Sequence, residues 1–546
     1  MPLLGHHRVL FAGLCLGLIA VPAAAAELLS PELSIPEVID RLIGDELAHR
    51  QIVPASRTDD ATLLRRTTLD LAGRIPTVAE QDDFAAMSPS EKRERLVDRL
   101  LASPDFAWHL KNEWDALLMP PRDGNGEWRD YLLQSARENR PWDRMFSDML
   151  AAKEDDPQNR GALQFVKART KELDQLTNDT SALFFGVSIN CAKCHDHPLV
   201  DDWKQDHYFG ISSFFARTYV TKGKRLADKA TAEVKFTTTK GVEKQARLMF
   251  LTGAEIAEPV VELTSEQEKA AEEEVRRQQR EDNVPAPAEP VFRPRWELVN
   301  LALQPENRGY FARSLVNRVW ARLLGRGLVH PVDQMHSSNP ASHPELLDWL
   351  ERDAIAHGYD VQRLIRGIVL SDVYARSSQW TQPGEPPSAE TFAVGIIRPL
   401  TPKQIAVSLP VASQAPTQFA AVLDAPNWSR QREQLENQAN DFARQLEQPG
   451  EHFQVSVTEA LLFSNSDRVQ NEYLRDSDDR LVGVLKTQSD DDAVVIAFRS
   501  VLSRQPTADE LDTFRRYLAP RSDRKPAAWQ QALWALVTSP EFRFNH

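Results

Sequence analysis

Apolar residues recur at three- and four-residue spacing along most of the chain, which is the pattern of an amphipathic α-helix. Residues 35–43 show this pattern, and residues 58–60 cap a second helix that stops at Gly73. Beyond residue 295 the same spacing returns, for example at 315–324. The pattern therefore predicts helices in both halves of the chain.

A different pattern separates the two helical regions. Residues 234–239 alternate polar and apolar side chains, which indicates a short β-hairpin. Residues 262–280 form a dense charged run, typical of a solvated helix, and residues 284–294 are rich in proline and alanine, typical of an extended spacer. We predict a mainly α fold with two helical domains and a small β excursion in the first. Its predicted parts are an N-terminal domain at 27–261, a linker at 262–294 and a C-terminal domain at 295–546.

The N-terminus has the pattern of an export signal. Two histidines and Arg8 precede an apolar run at 9–21, and three alanines at 24–26 offer a small-residue cleavage site, so residues 1–26 are predicted to be a signal peptide. The run is short for a transmembrane helix. The mature protein is expected in the periplasm or outside the cell, without an integral membrane segment. The net charge of -14 argues against nucleic acid as a partner.

The most informative motif follows the first helical region. Cys191, Cys194 and His195 form Cys-x-x-Cys-His, the attachment signature of c-type haem. In such a site two thiols add to the haem vinyl groups and the histidine takes an axial position on iron. On a helix these residues would share one face, and Pro198 would end that helix. The motif therefore predicts one covalently attached haem c.

Neighbouring residues leave alternatives open. His197, His207 and Met249 are candidates for the second axial position, and a methionine there would raise the potential. Without haem, the cysteines with His195 and His197, joined by Asp196, Asp206 or His207, provide ligands for zinc, copper or iron. In an oxidising compartment the cysteines could instead form a disulfide in a structural or surface-binding protein. No Gly-rich phosphate loop, H-E-x-x-H or G-x-S-x-G is present, so the sequence assigns no enzymatic reaction.

Several short motifs together resemble a known family. The matching segments are 64–73, 96–104, 191–198 with Trp203, 317–320, 325–329, 343–348, 502–507 and 539–546. They resemble the large secreted proteins of planctomycetes that pair a cytochrome-C-like domain with a C-terminal secreted domain, both of unknown function. The resemblance implies secretion, two mainly helical domains and a haem site.

Two differences from that family affect the site. Many relatives carry a further N-terminal cytochrome domain, for which this sequence has no room, so the resemblance implies a single haem. Leu199 stands where the family usually has an aromatic residue. Together, motif and resemblance predict a secreted redox or electron-transfer protein with a periplasmic redox partner. Non-haem metal binding and a structural or surface-binding role are the alternatives.

Overall fold

Helices make up most of the protein. In the computed structural model the described residues are 29–120, 124–196, 200–259, 263–282, 284–285, 287, 290–419, 426–449 and 469–546. The protein is 57% helical, with only small two-stranded sheets, which confirms the predicted mainly α fold with a small β excursion. The predicted signal peptide at 1–26 and His197 lie outside the described residues.

The N-terminal helices begin and end largely where local signals place them. Asp59 accepts the backbone N–H groups of Ala61 and Thr62, each at 3.0 Å, and Gly73, with a φ of 69°, ends that helix. The helices are α1 (Ile35–His49), α2 (Asp60–Ala72), α3 (Val78–Ala86), α4 (Lys92–Leu101), α5 (Pro104–Leu118), α6 (Gly126–Arg137), α7 (Trp142–Ala151), α8 (Gln164–Lys167), α9 (Leu173–Phe185) and α10 (Gln205–Ser213).

Three antiparallel strand pairs follow α10, where the β excursion is predicted. The pairs are β1 (Thr218–Val220) with β2 (Leu226–Asp228), β3 (Lys235–Thr237) with β4 (Glu243–Gln245), and β5 (Leu248–Met249) with β6 (Glu255–Ile256). The charged run forms a mostly exposed helix, α11 (Ser265–Arg280), as its composition predicts.

The C-terminal half is helical again. Its helices are α12 (Pro294–Ala302), α13 (Arg308–Leu324), α14 (Pro344–Ala356), α15 (Val361–Val369), α16 (Pro402–Ser413), α17 (Pro426–Ala443), α18 (Leu481–Leu485), α19 (Asp490–Leu502), α20 (Ala508–Leu518), α21 (Lys525–Val537) and α22 (Pro540–Arg543). Strand β7 (Arg398–Pro399) pairs with β8 (Phe544–Asn545) at the C-terminus.

Two hydrophobic cores divide the chain differently from the predicted domains. The first core draws buried residues from Ile35 to Ala393, so helices from both sides of the predicted linker pack into it. The second is built from residues of 400–542 together with Leu69 and Ile75. The 262–294 boundary stays a prediction, and the packing joins rather than separates the regions on its two sides.

A buried network of charges connects the N-terminal helices to α17. Arg74 lies 2.7 Å from Glu80 and 2.8 Å from Asp105, and Arg432 lies 2.7 Å from Asp105 on its other side. Farther along α17, Arg432 lies 3.1 Å from Glu436. Because each buried charge has an opposite partner, the attraction between the charges offsets the desolvation penalty of burying them.

Lysines complete the network around Glu436. Lys403 lies 2.6 Å and Lys111 3.8 Å from its Oε1 atom. Burial by itself raises the pKa of Glu436, but the three cations Arg432, Lys403 and Lys111 outweigh it and lower the pKa to about 2. Burial also lowers the pKa of both lysines, which nevertheless stay protonated in acid.

This pKa predicts an acid-dependent loss of stability. Below the usual pKa the unfolded chain binds a proton at Glu436 that the folded protein resists, so the stabilisation is complete above about pH 4.5 and disappears as the pH falls towards 2. The expected contribution is about 3 kcal/mol. Denaturant unfolding at a series of pH values should show this slope in the wild type and a shallower slope in Glu436→Gln. Equal slopes in both proteins would contradict the prediction.

Candidate functional site

The segment before the motif is fixed by contacts that are distant in sequence. Helix α9 ends at Gly186, whose φ is 69°, and a Cβ atom there would lie 2.7 Å from Sδ of Met335. The backbone N–H of Met335 donates to the carbonyl of Gly186 at 3.0 Å, and the N–H of Ser188 donates to the carbonyl of Asp333 at 2.7 Å. Glycine is needed here because the chain turns sharply against this loop.

The motif forms a short turn rather than the predicted helix. A 3₁₀-helix covers Asn190–Lys193 and ends before His195, so the expectation of one α-helical face carrying Cys191, Cys194 and His195 is wrong. The 3₁₀ geometry, with three residues per turn, still brings the two cysteines to the same side. Both thiols are free and exposed, whereas Ala192 between them is fully buried. The turn therefore anchors itself through Ala192 and presents the thiols to solvent.

The imidazole of His195 is held by a hydrogen bond to the backbone. Its Nδ1 atom lies 2.8 Å from the backbone carbonyl oxygen of Asp196. A carbonyl oxygen can only accept, so Nδ1 carries a proton, and in the neutral ring Nε2 presents its lone pair. Histidine ligands in metal sites commonly have this arrangement, since the bonded nitrogen fixes the tautomer and the ring orientation.

Gln205 ties the motif to the start of α10. Its buried side-chain amide donates to the carbonyls of Lys193 and Cys194 at 3.4 and 3.3 Å, and its carbonyl oxygen accepts the N–H of Thr239 at 3.3 Å. Its backbone N–H donates to Oδ1 of Asp196 at 3.1 Å. One residue thus holds the C-terminal end of the cysteine turn and joins it to the β excursion.

Asp174 supports the same turn from α9. Its carboxylate pairs with Lys193 and accepts the hydroxyl of buried Tyr208 at 2.6 Å. The hydrogen bonds from Lys193 and Tyr208 lower the pKa of Asp174. Burial, followed by the bond to Asp174, raises the pKa of Tyr208, so its hydroxyl stays a donor. A second link joins Asn178 to Asn190 at 2.9 Å.

His207, a predicted metal ligand, acts as a helix cap in this structure. Its Nδ1 atom accepts the backbone N–H of Lys204 at 3.1 Å, and its ring packs edge-on against Trp203 with centroids 6.0 Å apart. Burial, and then the charge of Lys204, lowers its pKa. With Nδ1 accepting, the neutral ring carries its proton on Nε2. Ligation through Nε2 would require losing that proton or breaking the cap, and His207 as a ligand stays a prediction with this cost.

The other two candidate ligands have different positions. Met249 lies half-buried in β5, and its backbone packs so closely on α10 that a Cβ atom at Gly210 would lie 2.7 Å from that of Met249. His197 lies outside the described residues. Within the described part of the chain, no three His, Cys, Asp or Glu side chains are grouped so that they could hold a metal ion.

The aromatic residues after the motif belong to the protein core. Trp203, Tyr208, Phe214 and Phe215 are each at most 2% exposed. Trp203 also packs on Tyr310 of α13 with centroids 6.0 Å apart. Their rings are therefore not available to pack against a haem macrocycle. The donors of the motif nevertheless fit a c-type haem, because two free thiols and an imidazole with Nε2 available lie together at the surface.

The sequence did not predict how the motif is positioned. It offers Asp196 only as a possible metal ligand, and Asp174 and Gln205 are ordinary polar residues, of which only Asp174 is hinted at by the acidic first turn of α9. Their roles depend on contacts between α9, α10 and the cysteine turn, which no local pattern encodes.

Comparison with known proteins gives two family matches. Residues 38–219 match PSCyt2, described as a protein of unknown function (DUF1549), and residues 294–451 match PSD1, described as a protein of unknown function (DUF1553). No curated protein and no solved structure matches the chain. Among the described helices none is long and apolar enough to cross a bilayer. The chain therefore contains a planctomycete cytochrome-C-like domain followed by a planctomycete secreted domain, both of unknown function.

Proposed function

We propose that this protein carries one covalently attached haem c and transfers electrons outside the cytoplasm. The observation that carries the proposal is the hydrogen bond of His195. Its Nδ1 donates to the carbonyl of Asp196, which leaves Nε2 available beside two exposed thiols. A bare Cys-x-x-Cys-His pattern would not require this tautomer. The cytochrome-C-like domain name of the first family match points in the same direction.

Each residue of the motif has a separate task in this proposal. The Cys191 and Cys194 thiols would hold haem covalently, each by adding its S–H across one vinyl double bond, which needs no leaving group. His195 would bind the iron through Nε2, and its bond to Asp196 keeps the ring oriented. When bound, haem supplies one-electron chemistry.

The surrounding hydrogen bonds hold this donor set in place. Gln205 restrains the carbonyls of Lys193 and Cys194, and the ion pair of Asp174 with Lys193 fixes the turn from the side of α9. Because the thiols are exposed, a haem attached there would keep one edge near solvent. An exposed edge allows direct electron exchange with a periplasmic redox partner.

Export is part of the proposal. Haem is attached to c-type proteins after translocation, and the signal-peptide pattern at 1–26 predicts that route. The name of the C-terminal domain, a planctomycete secreted domain, supports the same compartment. We propose His197 or Met249 for the second axial position in preference to His207, whose Nδ1 is used by the helix cap.

The test is expression of the full chain in a host with haem-maturation machinery. We expect a haem-staining band that survives denaturing electrophoresis, and a reduced spectrum with sharp Soret and α bands. The same host without the machinery is the control and should give an unstained chain. A chain that binds stoichiometric zinc, copper or non-haem iron, and never haem, would contradict the proposal and favour the non-haem metal site.

A further inference from the structure

A largely apolar cavity lies between helices from both halves of the chain, away from the cysteine turn. It has a volume of about 200 Å³. Its walls come from α5, α7, α9, α13 and α15, and its apolar lining includes Leu110, Trp114, Trp142, Leu315, Val319 and Ile365. An apolar cavity of roughly 150 Å³ is enough to hold benzene. This cavity therefore has room for a ring or a branched aliphatic body with a small polar group.

Two arginines of α13 and one glutamate of α5 add the polar part of the lining. Arg318 donates from Nε to the carbonyl of Leu183 at 3.2 Å, so its guanidinium is fixed by the end of α9. Burial lowers its pKa to about 10, and the side chain stays charged at neutral pH. Arg322 has a buried Nη2 atom without a hydrogen-bond partner. Within the described residues neither arginine has a carboxylate within ion-pair distance.

The unpartnered Arg322 nitrogen indicates the chemistry of a ligand that would fit the cavity. A buried guanidinium nitrogen without an acceptor is costly, and a carboxylate is the acceptor that matches its geometry. Glu113 is half-buried at the same cavity, and burial raises its pKa. Asp333 acts on Arg318 from outside the lining, so Arg322, with Glu113 as the carboxylate of the lining, is the cation that a ligand with a single negative charge would pair with.

We propose that this cavity binds a small monocarboxylate with an aromatic or branched aliphatic body. The body lies among the tryptophan and leucine side chains, and the carboxylate accepts from Arg322, with Arg318 beside it. A neutral amide of the same shape can accept through its carbonyl oxygen, but it brings no negative charge to pair with the guanidinium. The site therefore discriminates by charge as well as by shape, and it is independent of the cysteine motif.

The test is calorimetric titration of the full exported chain with phenylacetate and with phenylacetamide, its neutral counterpart. We expect one saturable site that binds phenylacetate about tenfold or more tightly than phenylacetamide, because a hydrogen bond between two opposite charges is stronger than one between a charge and a neutral amide. This comparison uses only the wild type and needs no variant to fold. Absence of saturable phenylacetate binding, or equal affinity for both compounds, would overturn the proposal.

Variants locate the site. Arg322→Gln should weaken phenylacetate binding about tenfold or more and change phenylacetamide binding little. Arg326→Gln is the matched control, since Arg326 follows α13 and lies outside the cavity lining, and it should bind both compounds as the wild type does. Ala321→Phe should fill the cavity and abolish binding of both. Unchanged phenylacetate affinity in Arg322→Gln or Ala321→Phe would show that the ligand binds elsewhere and would contradict the assignment.

Discussion

Replacing Asp105 with asparagine should lower the free energy of unfolding by about 3–5 kcal/mol, because two buried guanidiniums would lose their shared carboxylate. Asp105 is fully buried between Arg74 at 2.8 Å and Arg432 at 2.7 Å. It also accepts the indole N–H of Trp428 at 2.9 Å. The contact with Arg432 is an ion pair without hydrogen-bond alignment, so electrostatic attraction is its main component.

The matched control for this prediction is an exposed ion pair of the same chemistry. Asp441 lies 3.3 Å from Arg444, and both side chains are more than 70% exposed. Asp441→Asn should change the free energy of unfolding by less than about 1 kcal/mol. Denaturant unfolding followed by circular dichroism measures both variants. A loss in Asp105→Asn no larger than in the control would mean that the network does not stabilise the contact between α5 and α17.

Replacing both Cys191 and Cys194 with serine should abolish covalent haem attachment and leave the fold intact. The thiols are exposed, so their replacement creates no cavity, and we expect a stability change within about 0.5 kcal/mol. Either single replacement should remove one thioether and reduce haem retention. His195→Ala should keep the thioethers but change the spectrum, because the proximal nitrogen is lost.

Lys240→Ala is the control for these variants. It changes an exposed side chain in the turn between β3 and β4 and leaves all three donors of the motif and the contacts that position them in place. This variant should stain for haem as strongly as the wild type. If the double serine variant instead unfolds and no variant differs in cofactor content, the cysteines stabilise the domain as a disulfide and the haem proposal is wrong.

Local patterns predicted the elements whose signals lie within one turn of chain. The cap at Asp59 and the stop at Gly73 are such signals, and both are confirmed because the capping hydrogen bonds join near neighbours. The alternation at 234–239 similarly predicted the β excursion, which includes β3. These features depend little on the rest of the fold.

The features that the sequence did not predict depend on contacts between residues far apart in the chain. The motif leaves the helical path because Gly186 ends α9 against Met335, which is far away in sequence. The charge network joins Asp105 to Arg432 across more than half of the chain, and each residue looks like an ordinary surface charge in the sequence. Composition could not distinguish buried charges from solvated ones, because only tertiary packing decides where they lie.

The sequence predicted the donor residues of the candidate site but not the residues that position them. The sequence named both cysteines and His195 as donors. Packing places Trp203 and Tyr208 in the core. The hydrogen bonds of Gln205 and the carbonyl partner of His195 arise only when α10 lies against the cysteine turn.

Haem bonded covalently to Cys191 and Cys194 would change the mass of the peptide that contains both residues. The exported chain, matured with the haem-attachment machinery, should be digested and its peptides analysed by mass spectrometry. We expect the peptide spanning 191–195 to carry the added mass of one haem. An unmodified peptide, or one that differs only by the two hydrogens lost in a disulfide, would rule out covalent haem at this site.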